Sequence, residues 1–368
     1  MTAALERVRA LATASRDLKP SGFTVGVLGR DVPVELVEAA GATAVALRGR
    51  VGIDLGPADA LLGTGIDPLS RAVLATLLEE QFQGLDGIVL SSDSEASLRT
   101  FFVLRELRRV DPSVPVPQVH LVDVMHLPRE SSRRYTLAKV REFLATLGDW
   151  TGAGIDADAI GAAIEARGEV RDAVRTLSGL RWGRTPRLSG ADLACAVLAG
   201  GRLPVGDYLA LLQALLAETG EQVVHDGIRL VLSGSVHDEP GVIRVIEKAG
   251  ALVVAEDHDG GDAALDAAPT EPTVEGLARR LAARRPVATR SSIRDRAALT
   301  SDLCRASGAT AVLSYARRTD DSPAWDFAAQ AALPGIKARS IAGQAYGAID
   351  ADDLQSALTE LSEAMSHA

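Results

Sequence analysis

The stretch VELVEAAGATAVAL at residues 34–47 is echoed at residues 243–256 by IRVIEKAGALVVAE. In both, helical apolar spacing closes on a glycine, Gly41 or Gly250, and passes at once into a short apolar strand. Each copy follows another apolar run that ends in glycine, FTVGVL before Gly29 and GIRLVLS before Gly234. A strand, a helix and a second strand joined this tightly form a parallel crossover unit, and parallel strands need helices on both faces. A second echo, DGIVLSSDSE against ATAVLSYARRTDD, each leading into a helical stretch, extends the repeat. The pattern points to a duplicated α/β unit.

Between the copies, from Tyr135 to about Glu218, strand-like runs vanish and only helical periodicity is left. The predicted fold class is therefore α/β, with two Rossmann-like (flavodoxin-like) parallel-sheet domains and a helical middle region. Residues 1–134 are read as the first α/β domain with an amphipathic N-terminal helix, 135–222 as the helical connection, and 223–368 as the second α/β domain. The segment from Gly52 to Asp67, rich in Gly, Asp and Pro, is read as loop. In sheets of this kind ligands bind at the carboxyl ends of the strands.

Composition narrows the function. With 39 Lys and Arg against 49 Asp and Glu, the net charge of −10 opposes a role in gripping a phosphate backbone, so no nucleic acid partner is expected. Two cysteines, Cys195 and Cys304, make neither a disulfide framework nor a four-thiolate metal site. The first twenty residues carry charges throughout and lack the apolar core of a secretory signal, and no apolar run reaches bilayer-spanning length. A cytoplasmic location and no membrane partner are expected. No GxxxxGK[ST], HExxH or GxSxG motif occurs, and GTG at Gly63–Gly65 lacks the third glycine of a dinucleotide fingerprint.

The strand-end loops carry the polar chemistry. LSGSVHDEP offers Ser233 and Ser235 where a strand ends, with Asp238 and Pro240 opening a helix whose amides suit either a cap or an anion. In ATRSSIRDRAAL, Arg290, Ser291, Ser292 and Arg294 combine a helix start with guanidinium groups that match phosphate or carboxylate. VVAEDHDGG sets Glu256, Asp257, His258 and Asp259 directly after a buried strand, where crowding perturbs their protonation unless the loop is only a turn. Trp325, after Asp320 and Asp321, is read either as a pocket wall or as a core anchor.

Four stretches, VPVELVEAAGATAVALRG, LVDVMHLPRESSRRY, LSGSVHDEPGVIRVIEKAGALVVAEDHDGG and SSIRDRAAL, resemble the 2-hydroxyacyl-CoA dehydratase and benzoyl-CoA reductase family, with the chain standing as a D-component-like subunit. The helical middle, with LGDWTG, AIEARGEVRDAVRTLSGLR and LSGADL, keeps the family's order, so the resemblance covers nearly the whole chain. It implies a dimer of related subunits, each with two α/β domains and a cysteine-held [4Fe-4S] cluster in the cleft, served by an ATP-dependent activator. The implied reaction is radical dehydration: one electron enters an acyl-CoA thioester carbonyl, a ketyl forms, and the 2-hydroxyl is expelled to leave an enoyl-CoA. Reductase relatives add electrons to an aromatic ring instead.

The chain departs from this pattern at the three loops that supply cluster cysteines in the family. They read GTGIDPLS, LSSDSEAS and EDHDGG, with the ligand positions falling near Asp67, at Ser92 and at Asp259. Oxygen side chains replace thiolates poorly on iron–sulfur clusters, so the chain alone is expected to bind no cofactor, and a [4Fe-4S] cluster is expected on a partner subunit. The expected role is a subunit of a lyase, paired with a homologous chain or with itself and contributing substrate pocket and interface. Site roles follow from the resemblance and the loops: His258, Asp259 and Asp93 catalytic; Ser92, Ser233, Ser235, Arg290, Ser291 and Arg294 binding the acyl-CoA; no metal ligand. The alternatives are a catalytically silent acyl-CoA-binding or assembly subunit, a benzoyl-CoA reductase-type subunit, and a changed enzyme in which Asp67, Asp93, His258 and Asp259 gather a divalent ion.

Overall fold

Helix α1 (Ala3–Thr13) precedes the first of two sheets. Strands β1 (Thr24–Leu28) and β2 (Thr43–Ala46) are joined by α2 (Val34–Ala39). Helices α3 (Gly56–Leu62) and α4 (Pro68–Glu79) then lead to β3 (Gly87–Ser91), and α5 (Glu95–Val110) leads to β4 (Gln118–Val122). The computed structural model describes residues 2–14, 22–183, 185–220, 227–262, 270–283 and 291–366. The sheet order is β2-β1-β3-β4, parallel throughout, with Val25 opposite Gly87 and Thr24 opposite Thr43.

Helices α6 (Glu130–Thr151), α7 (Ala157–Gly179), α8 (Gly190–Ala199) and α9 (Val205–Glu218) follow. The second sheet contains β5 (Ile228–Gly234), β6 (Ala251–Glu256), β7 (Ala311–Arg317) and β8 (Lys337–Gln344). Around these strands lie α10 (Gly241–Lys248), α11 (Val274–Ala282), α12 (Ile293–Ser307), α13 (Ser322–Ala331) and α14 (Ala351–Ser366). The order β6-β5-β7-β8, again all parallel, repeats the topology of the first sheet. This is the two-domain Rossmann-like α/β architecture that the repeated motif predicts.

One glycine marks the same place in each repeat. Gly29 and Gly234 close β1 and β5 with φ of +102° and +105°, a backbone that L side chains rarely adopt. A Cβ at Gly29 would run into the Ser91 hydroxyl at the end of β3, and one at Gly234 into the Tyr315 carbonyl of β7. The sharp exit lets the first and third strands of each sheet end side by side.

Strands β3, β6 and β7 are buried along their whole length, as helices on both faces require. The core between the first sheet and α6 holds Val25, Val89, Phe143 and Leu147, and it also takes Leu277 and Leu281 from α11. Thus α11, which lies after β6 in sequence, packs on the first domain, and Arg280 pairs there with the buried Glu35 at 2.6 Å. Helix α1 packs away from both sheets, against α8 and α9, and Arg9 pairs with Asp192 at 2.7 Å. The Gly52–Asp67 segment is not all loop. Pro57 and the Asp54 side chain, which accepts from Gly56 N–H, start α3, and Ala58 and Leu62, one turn apart, bury its inner face.

Candidate functional site

The carboxyl ends of β1 and β2 and of β5 and β6 open on one cavity of about 740 Å³ between the domains. One wall is apolar, with Leu47, Val174, Val197, Leu198 and Ile243. The other carries Asp93 from the loop after β3 and Ser233, His258 and Asp259 from the loops after β5 and β6. The Asp93 carboxylate accepts from Arg30 N–H at 2.5 Å, which ties the loops after β1 and β3 together.

His258 is held from both sides. Its Nδ1 accepts from Gly260 N–H at 3.2 Å, and its Nε2 lies 3.0 Å from Glu256 Oε2. A ring that accepts at Nδ1 carries its proton on Nε2 when neutral, facing the carboxylate. Beneath it, Arg181 lies 3.5 Å from Glu256 and donates to both oxygens of Asp262 at 2.7 and 2.6 Å, all with fully or nearly fully buried side chains. This ion network anchors the loop after β6 to the start of the α7–α8 connection. His237 packs edge-on to His258, ring centroids 5.3 Å apart, and burial, then the neighbouring His258 and Arg317, hold its pKa well below the usual imidazole value. Burial raises the carboxyl of Asp257, which accepts from Thr300 at 2.6 Å.

The structure therefore brings Asp93, Ser233, His258 and Asp259 to one cavity and turns the other predicted residues elsewhere. Ser92 donates to Asp123, which also accepts from Tyr135 at 2.6 Å, so its hydroxyl is spent on tying β3 to β4. Ser235 is buried, donating to Asp320 and accepting from Arg317 N–H at 3.0 Å. The Ser291 carbonyl caps the Arg296 guanidinium, and Arg294 is exposed on α12, away from the cavity wall. Arg290 lies outside the described residues. The cationic residue of α12 that does line the cavity is Arg296, paired with Asp326. Trp325 neither lines the pocket nor anchors the core: it is 71% exposed. The free amides expected at the start of α10 are covered by the Glu239 carboxylate, which accepts from Gly241 and Val242 N–H groups.

Residues that sequence reasoning passed over complete the site. Asp67, at the N-terminus of α4, meets Arg317, the last residue of β7, across the cleft. Tyr346 OH lies 2.9 Å from Gly49 O and 3.1 Å from Asp238 Oδ2, a second polar tie between the domains. The signal for Arg317 was its place at the end of an apolar strand within the quoted repeat; its partner carries no local signal at all.

The reading with a divalent ion at Asp67, Asp93, His258 and Asp259 does not fit. Asp67 is consumed by Arg317, and among the described residues no three His, Cys, Asp or Glu side chains are grouped to hold a metal. Nor do the cysteines suit an iron–sulfur cluster. Cys195 on α8 and Cys304 on α12 are buried free thiols, and burial pushes them up to about 11 and about 12, against the thiolate form that iron requires.

Residues 31–324 match the family model of the 2-hydroxyglutaryl-CoA dehydratase D-component. A subunit of the benzoyl-CoA reductase of Thauera aromatica is 27% identical over 256 residues, which cover 67% of this chain and 64% of that protein. Among the described residues no helix is long and apolar enough to cross a membrane. With the family model spanning most of its length, the chain belongs to the 2-hydroxyglutaryl-CoA dehydratase D-component family.

Proposed function

We propose that this chain is the cluster-free subunit of a 2-hydroxyacyl-CoA dehydratase-like enzyme, supplying a pocket for the acyl end of a CoA thioester and an interface for a homologous partner that carries the [4Fe-4S] cluster. The observation that carries this reading is the fate of the three loop positions equated with cluster ligands. Asp67 is paired with Arg317, Ser92 with Asp123, and Asp259 lines a cavity that holds no cysteine. An iron–sulfur cluster with an activator would supply single electrons. This chain's part is to hold the acyl group on its apolar wall and to keep His258, Asp93 and Asp259 at the polar wall, where they exchange protons with the substrate. Ser233, whose hydroxyl accepts from Gln330 at 2.6 Å, faces the same space.

The test is calorimetric titration of hexanoyl-CoA and 2-hydroxyhexanoyl-CoA into the full chain, alone and co-purified with a homologous cysteine-bearing chain. Binding that is lost when Val197→Phe fills the apolar wall supports the reading. Binding unaffected by Val197→Phe places the thioester elsewhere, and absence of binding with and without the partner contradicts the role as a substrate-pocket subunit. A dehydratase rate from the pair that disappears without this chain separates an active subunit from a silent assembly one.

A further inference from the structure

The arginines that line the cavity mostly face carboxylates: Arg167 meets Glu38, Arg171 meets Glu35, Arg296 meets Asp326 and Arg317 meets Asp67. Arg48 is different. It follows β2 at the strand's carboxyl end, its Nη2 donates to the Leu198 carbonyl in the last turn of α8, and its Nη1 is buried with no hydrogen-bond acceptor. Arg202 and Arg30 add positive charge around it. Asp238 is the carboxylate that faces it, but Asp238 Oδ2 is taken by Gly49 N–H and Tyr346 OH, and its Oδ1 is also without a partner. Burial first, and then Arg202 and Arg30 against the opposing Asp238, lower the Arg48 pKa to about 10, which leaves it cationic at neutral pH.

A buried guanidinium satisfied by one carbonyl keeps both charge and donors unspent, and its planar fork matches carboxylate and phosphate oxygens. Beside it the wall is hydrocarbon, from Ala46, Leu47, Val197 and Tyr208. We propose that Arg48 anchors an oxyanion subsite in this cavity, taking the carboxylate or phosphate of a small organic anion whose hydrocarbon part lies on the apolar wall. The subsite shares the cavity of the functional reading but requires an oxyanion and not a thioester, so either can fail without the other.

The experiment titrates the full chain with hexanoate, with inorganic phosphate and with hexanoyl-CoA, using wild type, Arg48→Gln and Arg48→Lys. Hexanoate or phosphate binds wild type, Arg48→Gln weakens that binding roughly tenfold or more, and Arg48→Lys restores part of it. Hexanoate binding that phosphate does not displace assigns a carboxylate, and phosphate binding that hexanoate does not match assigns a phosphoryl group. Should the variants not fold, arginine labelling of wild type by phenylglyoxal, mapped by mass spectrometry, replaces them: the bound anion protects Arg48. Absence of anion binding, binding equal in Arg48→Gln and wild type, or labelling of Arg48 that the anion leaves unchanged overturns the proposal. Hexanoyl-CoA binding that is indifferent to Arg48, with neither small anion bound, overturns it while leaving the functional reading intact.

Discussion

Asp67 and Arg317 meet across the cleft, Nε on Oδ1 at 2.9 Å and Nη2 on Oδ2 at 2.7 Å. The Arg317 side chain is only 3% exposed and also donates to the Val236 carbonyl, so the guanidinium depends on Asp67 for its countercharge. Removing the carboxylate strands a buried cation. Asp67→Ala is expected to cost about 3 kcal/mol in urea unfolding, and the double variant Asp67→Ala/Arg317→Met to recover part of that loss. Strictly additive effects in this double-mutant cycle would show that the pair does not tie the domains.

The two strand-end glycines should differ in tolerance. Both need a positive φ, which costs an alanine about 1–2 kcal/mol. At Gly234 the new methyl meets the Tyr315 backbone carbonyl, which cannot swing away, whereas at Gly29 it meets the side chains of Ser91 and Asp93, which can. Gly234→Ala is therefore expected to destabilise the chain more than Gly29→Ala. Chemical denaturation that reverses this ranking would mean that the repeats are not built alike.

Stability is expected to fall as pH drops below about 6.5. His237 is held well below its usual value by burial, then by His258 and Arg317, and burial also lowers His120. Between their folded values and the ordinary imidazole value the unfolded chain binds the extra protons, so this contribution is full above about pH 6.5 and is lost on acidification. Asp238 and Asp257, raised by burial, have the opposite sign: the fold holds their protons, and that stability is lost as pH rises toward their folded values. Comparing wild type with His237→Phe isolates the imidazole, and the variant should show a shallower slope between about pH 6.5 and 5. An unchanged slope would place a charged ring inside the fold.

Thiol chemistry gives a fourth check. Cys195 and Cys304 are buried, and burial carries them up to about 11 and about 12. A disulfide reagent should therefore react slowly with the native chain at neutral pH and modify both thiols once urea unfolds it. Rapid modification of either thiol in the folded chain would contradict the burial of α8 and α12.

The fold was legible because its repeat is local: a helix ending at Gly41 or Gly250 and running straight into a strand needs no long-range contact to be recognised. What escaped is non-local. Nothing near Leu277 announces that α11 packs beside Phe143 on the other domain, and nothing near Asp67 announces a partner at Arg317. In the site, strand-end position was enough to find Asp93, Ser233, His258 and Asp259, because every such loop opens toward the cleft. It misassigned Ser92, Ser235 and Arg294, because position gives the loop but not the direction of one side chain. For Arg294 and Arg296, two residues on a helix separate an exposed guanidinium from one in the cavity wall.

If this chain brings the pocket and not the cluster, iron and sulfide analysis of the chain purified alone without oxygen decides the matter. The expected result is a colourless protein with no stoichiometric iron or sulfide, and colour acquired only with a homologous cysteine-bearing partner. A brown preparation with about four irons and matching sulfide per chain, obtained without any partner, would contradict it.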